Sequence, residues 1–491
     1  MKKKMSMIAF LVAVSPLLYS FCGFYVSKAD GTLKNKTSQV ILVRDGNKTV
    51  ITMYNDYKGD IKDFAMVVPV PVVLKKDDIH VVDQSIFQKL NDYSAPRLVE
   101  YYDQNPCNRY DEVLMDVSVK SAPQMRGMAS MTESKTKDLG VKVEAKYLVG
   151  EYDILILSAK ESGGLKEWLT INGYKIPAGA EEVLDPYIKS NLKFFVVKVN
   201  EAEKKKLPGN FLRPLQIAFN SPKFMLPIRL GMANADGDQD LIVYAFTRKG
   251  RVECTNYRNV NIPTGKNIPL FVKKDFGVFY NNLFNRQWQN ENKSIGFLEY
   301  AWDVSPTNYV KCDPCVGNPP NQQDIVQSGV WWLQKDWSDY SDVDNQDEDY
   351  MDTKVHFTRL HFRYNRQSFP QDLMFQVTPN TENFQARYII THPATGEFTC
   401  DEGKKYLKDL KLRRKKELVE LAGLTGTTLD NWQQDLSASK EEGLEQEAQY
   451  ASLVPAAESD MNNRKELPGQ LALASAVLMG AVGFFRWKRM I

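Results

Sequence analysis

The sequence predicts an α+β fold: a β-rich, mainly antiparallel ectodomain with a few helices, then a disordered stalk and one C-terminal transmembrane helix. Three observations carry this. Between residues 37 and 392, short β-branched and aromatic runs alternate with turn residues. Each end of the chain holds an apolar run bordered by basic residues, and an acidic, polar stretch precedes the second run. With 491 residues, 43% of them hydrophobic, the chain has ample material for a buried core.

The first element is a signal peptide over 1–21. Lys2, Lys3 and Lys4 precede an apolar run at 7–18 that has signal-peptide length and is short for a relaxed membrane span. Ser20 suits the position before a cleavage. Phe21 is large where processing for a lipid on Cys22 wants a small residue.

The body follows over 22–426, with a possible subdomain boundary near 200–260. Runs at 38–44 and 49–57 flank Asp45-Gly46-Asn47, a hairpin signal. Residues 64–74 are apolar, but Pro69 and Pro71 argue for an edge strand or an extended segment. Alternation over 141–158 reads as two strands broken near Gly150. Runs at 192–200 and 211–220 read as buried strands, and 225–257 as a meander turning at Asp236-Gly237-Asp238 and Lys249-Gly250. Later strands are expected at 355–364, 373–378 and 384–391. Helices are expected at 85–102 (broken by Pro96), 165–172, 180–190, 276–288 and 404–423. Residues 104–140 read mostly as a long loop.

A stalk spans 433–466, with eight acidic and three basic residues and few large apolar side chains, a composition that does not bury itself. The membrane helix is placed at 467–486, continuously apolar only over 471–485. Fifteen helical residues rise about 22 Å, so Leu467, Trp487 and snorkelling basic side chains complete the span. The tail 487–491 then stays in the cytoplasm, held by Arg486, Lys488 and Arg489.

Charge narrows the partners. The chain has 63 Lys and Arg against 61 Asp and Glu; without the six basic residues of its two ends, 57 face 61. A duplex-binding surface normally shows a basic excess, so nucleic acid is not an expected partner. The six cysteines (Cys22, Cys107, Cys254, Cys312, Cys315 and Cys400) form an even set suited to an oxidising compartment. No free thiol is expected, with Cys312–Cys315 the leading bridge and Cys22–Cys107 a second.

Catalytic signals are thin. Cys312-Asp313-Pro314-Cys315 has the spacing of a redox dithiol, but Gly317, Pro319 and Pro320 follow it where a helix would have to start. Zinc would need a second Cys or His pair, and the sequence has none at suitable spacing. His356 and His361 differ by five and face opposite sides of a strand. There is no Gly-x-Ser-x-Gly elbow and no phosphate-cradling loop. Residues 336–352 hold eight carboxylates and no basic residue. Asp342, Asp344 and Asp347 are candidate calcium ligands there, although the EF-hand spacing fails. Residues 404–416 hold eight Lys or Arg, for which a solvated face, the acidic loop and anionic lipid are the options. No cofactor is implied.

Several segments carry a family resemblance: CGFYV at 22–26, DFAMVVPVP at 63–71, SAPRLVEYYD at 94–103, YDILILSAKES at 152–162 and NGYKIPAG at 172–179. EYAWD at 299–303, CDPC at 312–315 and much of 224–257 and 358–393 add to them. In this order they resemble the bacterial exported-protein family called domain of unknown function 2330. The resemblance implies an envelope protein with a signal and brings no catalytic residues. The expected function is therefore a non-catalytic binding or structural module, exported, with its bulk in the periplasm or on the cell surface. Its partners are the membrane through the C-terminal helix and an envelope protein or glycan. The alternative is a hydrolase or thiol-disulfide oxidoreductase acting on envelope material.

Overall fold

The computed structural model describes residues 24–25, 37–54, 65–107, 140–172, 174, 179–207, 211–234, 237–307, 318–334 and 353–427. The signal segment, the stalk and the apolar run at 467–486 lie outside these. Among the described residues no helix is long and apolar enough to cross a membrane.

The described chain is mixed α/β with a sheet-rich core. A five-stranded antiparallel sheet runs in the order β1 (Phe24–Tyr25), β4 (Ala65–Val70), β9 (Lys193–Val199), β8 (Tyr152–Ala159), β7 (Val141–Val149). A nine-stranded mixed sheet runs β14 (Arg258–Asn261), β16 (Ile295–Asp303), β17 (His356–Tyr364), β12 (Gln239–Thr247), β2 (Thr37–Asp45), β3 (Lys48–Tyr54), β10 (Leu215–Asn220), β5 (Ile79–Val81), with β19 (Phe384–Gln385) beside β16. Two three-stranded sheets complete it. One is β11 (Met225–Leu226), β18 (Leu373–Val377), β13 (Val252–Cys254). The other is β15 (Lys266–Asn267), β20 (Arg387–His392), β6 (Arg97–Tyr102).

Alternation along the strands explains the layering, since successive side chains enter opposite faces. On β4 and β9, Met66, Val68, Phe195 and Val197 join Val40, Leu42, Ile217 and Val243 of the larger sheet in one core between the two sheets. Ala65, Val67, Phe194 and Val196 point the other way, under α2 (Ser162–Ile171) and α3 (Ala180–Lys189). The far face of the larger sheet offers Ile41, Val43, Tyr244 and Phe357 to α1 (Ser85–Ser94). After the short α4 (Glu201–Lys204), α5 (Phe276–Asn290) packs at the β16 end with Phe279, Leu283 and Phe284. Then come α6 (Gln322–Gln327) and α7 (Asp401–Thr425). With both faces covered, Val40, Ile41, Leu42 and Val43 are all fully buried.

Local chemistry sets several boundaries. The hairpin at Gly46-Asn47 forms, with Gly46 at φ +54°. Helix α1 stops at Ser94 because Ala95, ahead of Pro96, is extended, and the chain continues as β6. The expectation that Pro69 and Pro71 keep this segment at an edge is corrected: β4 lies between β1 and β9. Among the described residues β1 covers only Met66 and Val67, so Pro69 lies beyond that pairing.

Most strand pairings are antiparallel, as expected, and the exceptions are β12 with β2, β14 with β16, and β20 with both β15 and β6, which are parallel. A further expectation about the strands is corrected: 225–257 is not a meander, because β11 and β13 pair with β18 while β12 lies between β2 and β17. Turn residues mark where strands end and leave their partners unspecified.

The parallel pairing of β6 and β20 has a covalent consequence. It brings Tyr102 beside His392, and the loops beyond then run together. The Asp103 N–H donates to His392 O at 2.9 Å, and Asn105 Nδ2 donates to Thr395 O at 3.0 Å. Cys107 thus meets Cys400, 293 residues away, and the two are bridged. This corrects the expected Cys22–Cys107 pair. Cys254 is a buried free thiol at the end of β13, its Sγ 3.3 Å from Asn256 Oδ1, so the expectation of no free thiol also fails. Cys22, Cys312 and Cys315 lie outside the described residues.

Replacing Cys107 and Cys400 by serine removes a cross-link that closes a very long loop. We expect the double variant to lose about 2–5 kcal/mol of unfolding free energy in a urea titration, with wild type in reductant behaving alike.

Candidate functional site

The chemistry-bearing residues gather on the helix-covered face of the nine-stranded sheet. Arg359, His361 and Arg363 alternate along β17 and so share that face. Asp240 on β12 sits opposite Arg363, and Tyr244 opposite Arg359. The remaining partner comes from an irregularity. In β16 the register shifts between Leu298 and Tyr300, leaving Glu299 as the extra residue of a bulge. Leu298 and Ala301 enter the core between the sheets, whereas Tyr300 and Glu299 both face the helices.

Glu299 is fully buried. Its Oε2 accepts from Arg359 Nε at 2.6 Å, and its Oε1 lies 2.7 Å from His361 Nδ1 and also accepts from the Tyr280 hydroxyl of α5. Arg363 makes a two-pronged pair with Asp240, Nε to Oδ1 at 2.7 Å and Nη2 to Oδ2 at 2.8 Å. His361 Nε2 approaches Asp240 Oδ1 at 3.4 Å, outside hydrogen-bond alignment. Aromatic faces seat the cations: the Arg359 guanidinium lies 5.5 Å from the Tyr244 ring centre and that of Arg363 4.8 Å from Phe284. From α1, Asn91 Oδ1 accepts from Arg359 Nη1 at 3.0 Å.

These contacts set the protonation states. Burial alone would raise the Glu299 pKa, but the charges of His361 and Arg359 with the hydrogen bonds from His361 and Tyr280 outweigh it and hold the carboxyl at about 2. Burial likewise would lower His361, yet the Glu299 charge and the Asp240 and Glu299 contacts carry it up to about 9. Asp240 is held well below the usual range: burial opposes this, and the close contact and charge of His361 with the hydrogen bonds and charge of Arg363 overcome it. Near neutrality the cluster holds two carboxylates, two guanidiniums and an imidazolium.

Beside it a cleft of about 570 Å³ opens between the end of α1 and residues 318–324. Its walls include Lys89, Asn91, Arg97, Asn318, Asn321 and Asp324, with Pro96, Pro319 and Pro320. The charges there are largely spoken for. Lys89 Nζ lies 2.5 Å from Asp324 Oδ1, and Asp324 Oδ2 accepts the Asn321 N–H at 3.1 Å. Arg97 donates to the Tyr93 and Ala95 carbonyls. Asn91 belongs to both places, lining the cleft while holding Arg359.

A family comparison fits this frame. A model of an uncharacterised protein conserved in bacteria (DUF2330) matches residues 16–376 of 491. The chain belongs to the DUF2330 family. The match contains Asp240, Tyr280, Glu299, Arg359, His361 and Arg363 and ends before β19, β20 and α7. No curated protein and no solved structure matches this DUF2330 chain.

The sequence candidates and these residues hardly overlap. Asp342, Asp344 and Asp347, like Cys312 and Cys315, lie outside the described residues. Among the described residues no group of three or more His, Cys, Asp or Glu side chains is placed to hold a metal. The sequence places His361 on a strand face opposite to His356 and points to no partner for it, because its carboxylate partner is 62 residues away. The available signal was the Arg-x-His-x-Arg alternation of β17, three cationic side chains on one face of a strand otherwise reading as core.

The pKa shifts fix a pH profile. His361 is raised above its ordinary 6.5, so its contribution is complete below pH 6.5 and is lost as pH rises through 9. Glu299 is depressed below its ordinary 4.5, so its contribution is complete above pH 4.5 and is lost as pH falls toward 2. Unfolding free energy measured against pH should be highest between these limits and lose something on the order of 2 kcal/mol on the alkaline side. His361→Gln should flatten the alkaline limb.

Proposed function

We propose that this DUF2330 protein is a non-catalytic, membrane-anchored protein of the bacterial envelope, whose extracytoplasmic body binds a neutral, hydroxyl-rich ligand such as a glycan segment. The observation that carries this reading is the contrast between the two neighbouring places. The cluster with acid–base potential is closed, because each oxygen of Glu299 is engaged by protein and His361 is turned inward between Glu299, Asp240 and the Phe284 ring at 4.2 Å. A general acid or base must reach its substrate, and here Glu299 is fully buried and the His361 Nε2 atom is shielded from solvent. The adjacent cleft is open and polar, lined by amides, paired charges and proline faces, which suits hydrogen bonding to a ligand without net charge.

Other features support the setting. A bridge between Cys107 and Cys400 belongs to an oxidising compartment. The signal-like start, the acidic stretch at 433–466 and the apolar run at 471–485 with its basic tail fit export followed by anchoring, leaving the body outside the cytoplasm.

Solubilised envelope glycan fragments presented to the full chain should give ligand-observed NMR saturation transfer. Asn318→Trp, at an exposed position on the cleft wall, should abolish it without moving the unfolding midpoint. Undiminished transfer in the variant contradicts the cleft assignment, and cleavage of the fragments contradicts the non-catalytic reading.

A further inference from the structure

Helix α7 is the last described element, and its outer face has no partner among the described residues comparable to what its inner face has. The inner face is fastened at several points. Leu410, Leu421 and Leu424 are buried, Arg414 Nη2 donates to Thr391 O of β20 at 3.1 Å, and Arg413 binds Asp103. Tyr406 donates to Asp103 Oδ2 at 2.6 Å, and the Cys107–Cys400 bridge pins the residue that precedes the helix. The helix is thus a rigid rim of the body.

Outward, Lys404, Lys405, Lys408, Lys411, Lys415 and Lys416 are all exposed. So are Leu412 at 62% and Val419 at 59%, high values for large aliphatic side chains. At 100° per residue these eight positions share one arc. Lys411, Lys404, Lys415 and Lys408 occupy one flank, Lys405 and Lys416 the other, and Val419 and Leu412 lie between. The acidic residues nearby do not break the pattern: Asp401 is in the first turn and paired with Lys404 at 2.9 Å, and Asp409 is at the margin. The arc from Lys404 to Val419 is about 22 Å long.

We infer that this face lies on an anionic phospholipid surface, lysines on the phosphates and Leu412 and Val419 dipping into the headgroup boundary. An apolar centre flanked by long cationic side chains is what an interfacial helix presents: ammonium groups snorkel outward to phosphate while the aliphatic side chains enter. Lysines near an anionic bilayer add attraction that salt weakens. An acidic peptide would satisfy the lysines equally, including residues 336–352 of this chain, but it gives no account of two exposed aliphatic side chains placed between the cationic flanks. The inference goes beyond the cleft reading. It would have the body lie against the bilayer in a fixed orientation, with α7 as the contact, and it concerns a helix that the family match does not include.

The test is amine-reactive footprinting of the full chain, read by mass spectrometry, on lipid nanodiscs of phosphatidylglycerol or of phosphatidylcholine. On recovered phosphatidylglycerol discs, Lys405, Lys408, Lys411, Lys415 and Lys416 should be protected roughly fivefold relative to phosphatidylcholine discs, and about 0.5 M salt should restore their reactivity. Lys142, Lys189 and Lys206, exposed on other elements, should react alike in both. Leu412→Asp, at an exposed position, should reduce the protection. Equal protection on both lipids and in detergent would assign the face to an acidic segment of the chain and overturn the inference. Full reactivity on phosphatidylglycerol, or failure to co-purify with those discs, would overturn it too. None of these outcomes bears on glycan binding in the cleft.

Discussion

Glu299 puts a full negative charge inside the helix-covered face of the nine-stranded sheet, and that charge dictates what surrounds it. A carboxylate removed from water is tolerated only when its lone pairs are taken up and its charge is balanced. Here the bulge in β16 aims it, β17 supplies Arg359 and His361, and α5 supplies Tyr280. The requirement then propagates. Arg359 reaches Asn91 on α1, and Arg363 reaches Asn285 on α5 while pairing with Asp240 on β12. Five elements are tied to one set of charges at the seam between the two apolar clusters that flank it. A sheet slipped by one residue would turn all of these groups into the opposite core, so the network also fixes register.

That constraint shapes the functional reading. The groups that look most like catalytic apparatus are already spent on one another, and their protonation states are locked far from neutrality. The proposed ligand binding is therefore assigned to the cleft next door, where Asn91 couples the wall to the network. The same logic of fastening appears at the other end of the body. The Cys107–Cys400 bridge and the Asp103 contacts hold α7 in place, so that a face rich in lysine is presented as a fixed surface.

Much of the local structure was legible in the sequence. The hairpin at Gly46-Asn47, the strands at 141–149, 152–159 and 356–364, and helices α3 and α5 follow from turn residues and periodicity acting over a few positions. Pairing was not legible. Nothing near β12 says that its neighbours are β2 and β17, and nothing near Cys107 points to Cys400. The network was hidden for the same reason, and for one more. Glu299 lies in a stretch without clean strand alternation, because the bulge places two successive side chains on one face and so breaks the period that sequence patterning detects.

The central claim is that the buried charges act as one structural unit. A double-mutant cycle on the full chain, with Glu299→Gln, Arg359→Gln and the double variant followed by urea unfolding, tests it most directly. The account predicts that each single change costs about 3–5 kcal/mol, because it strands the opposite charge, and that the double variant costs less than the sum by more than about 1.5 kcal/mol. Additivity within about 0.5 kcal/mol would show that the two groups are energetically independent and would contradict it.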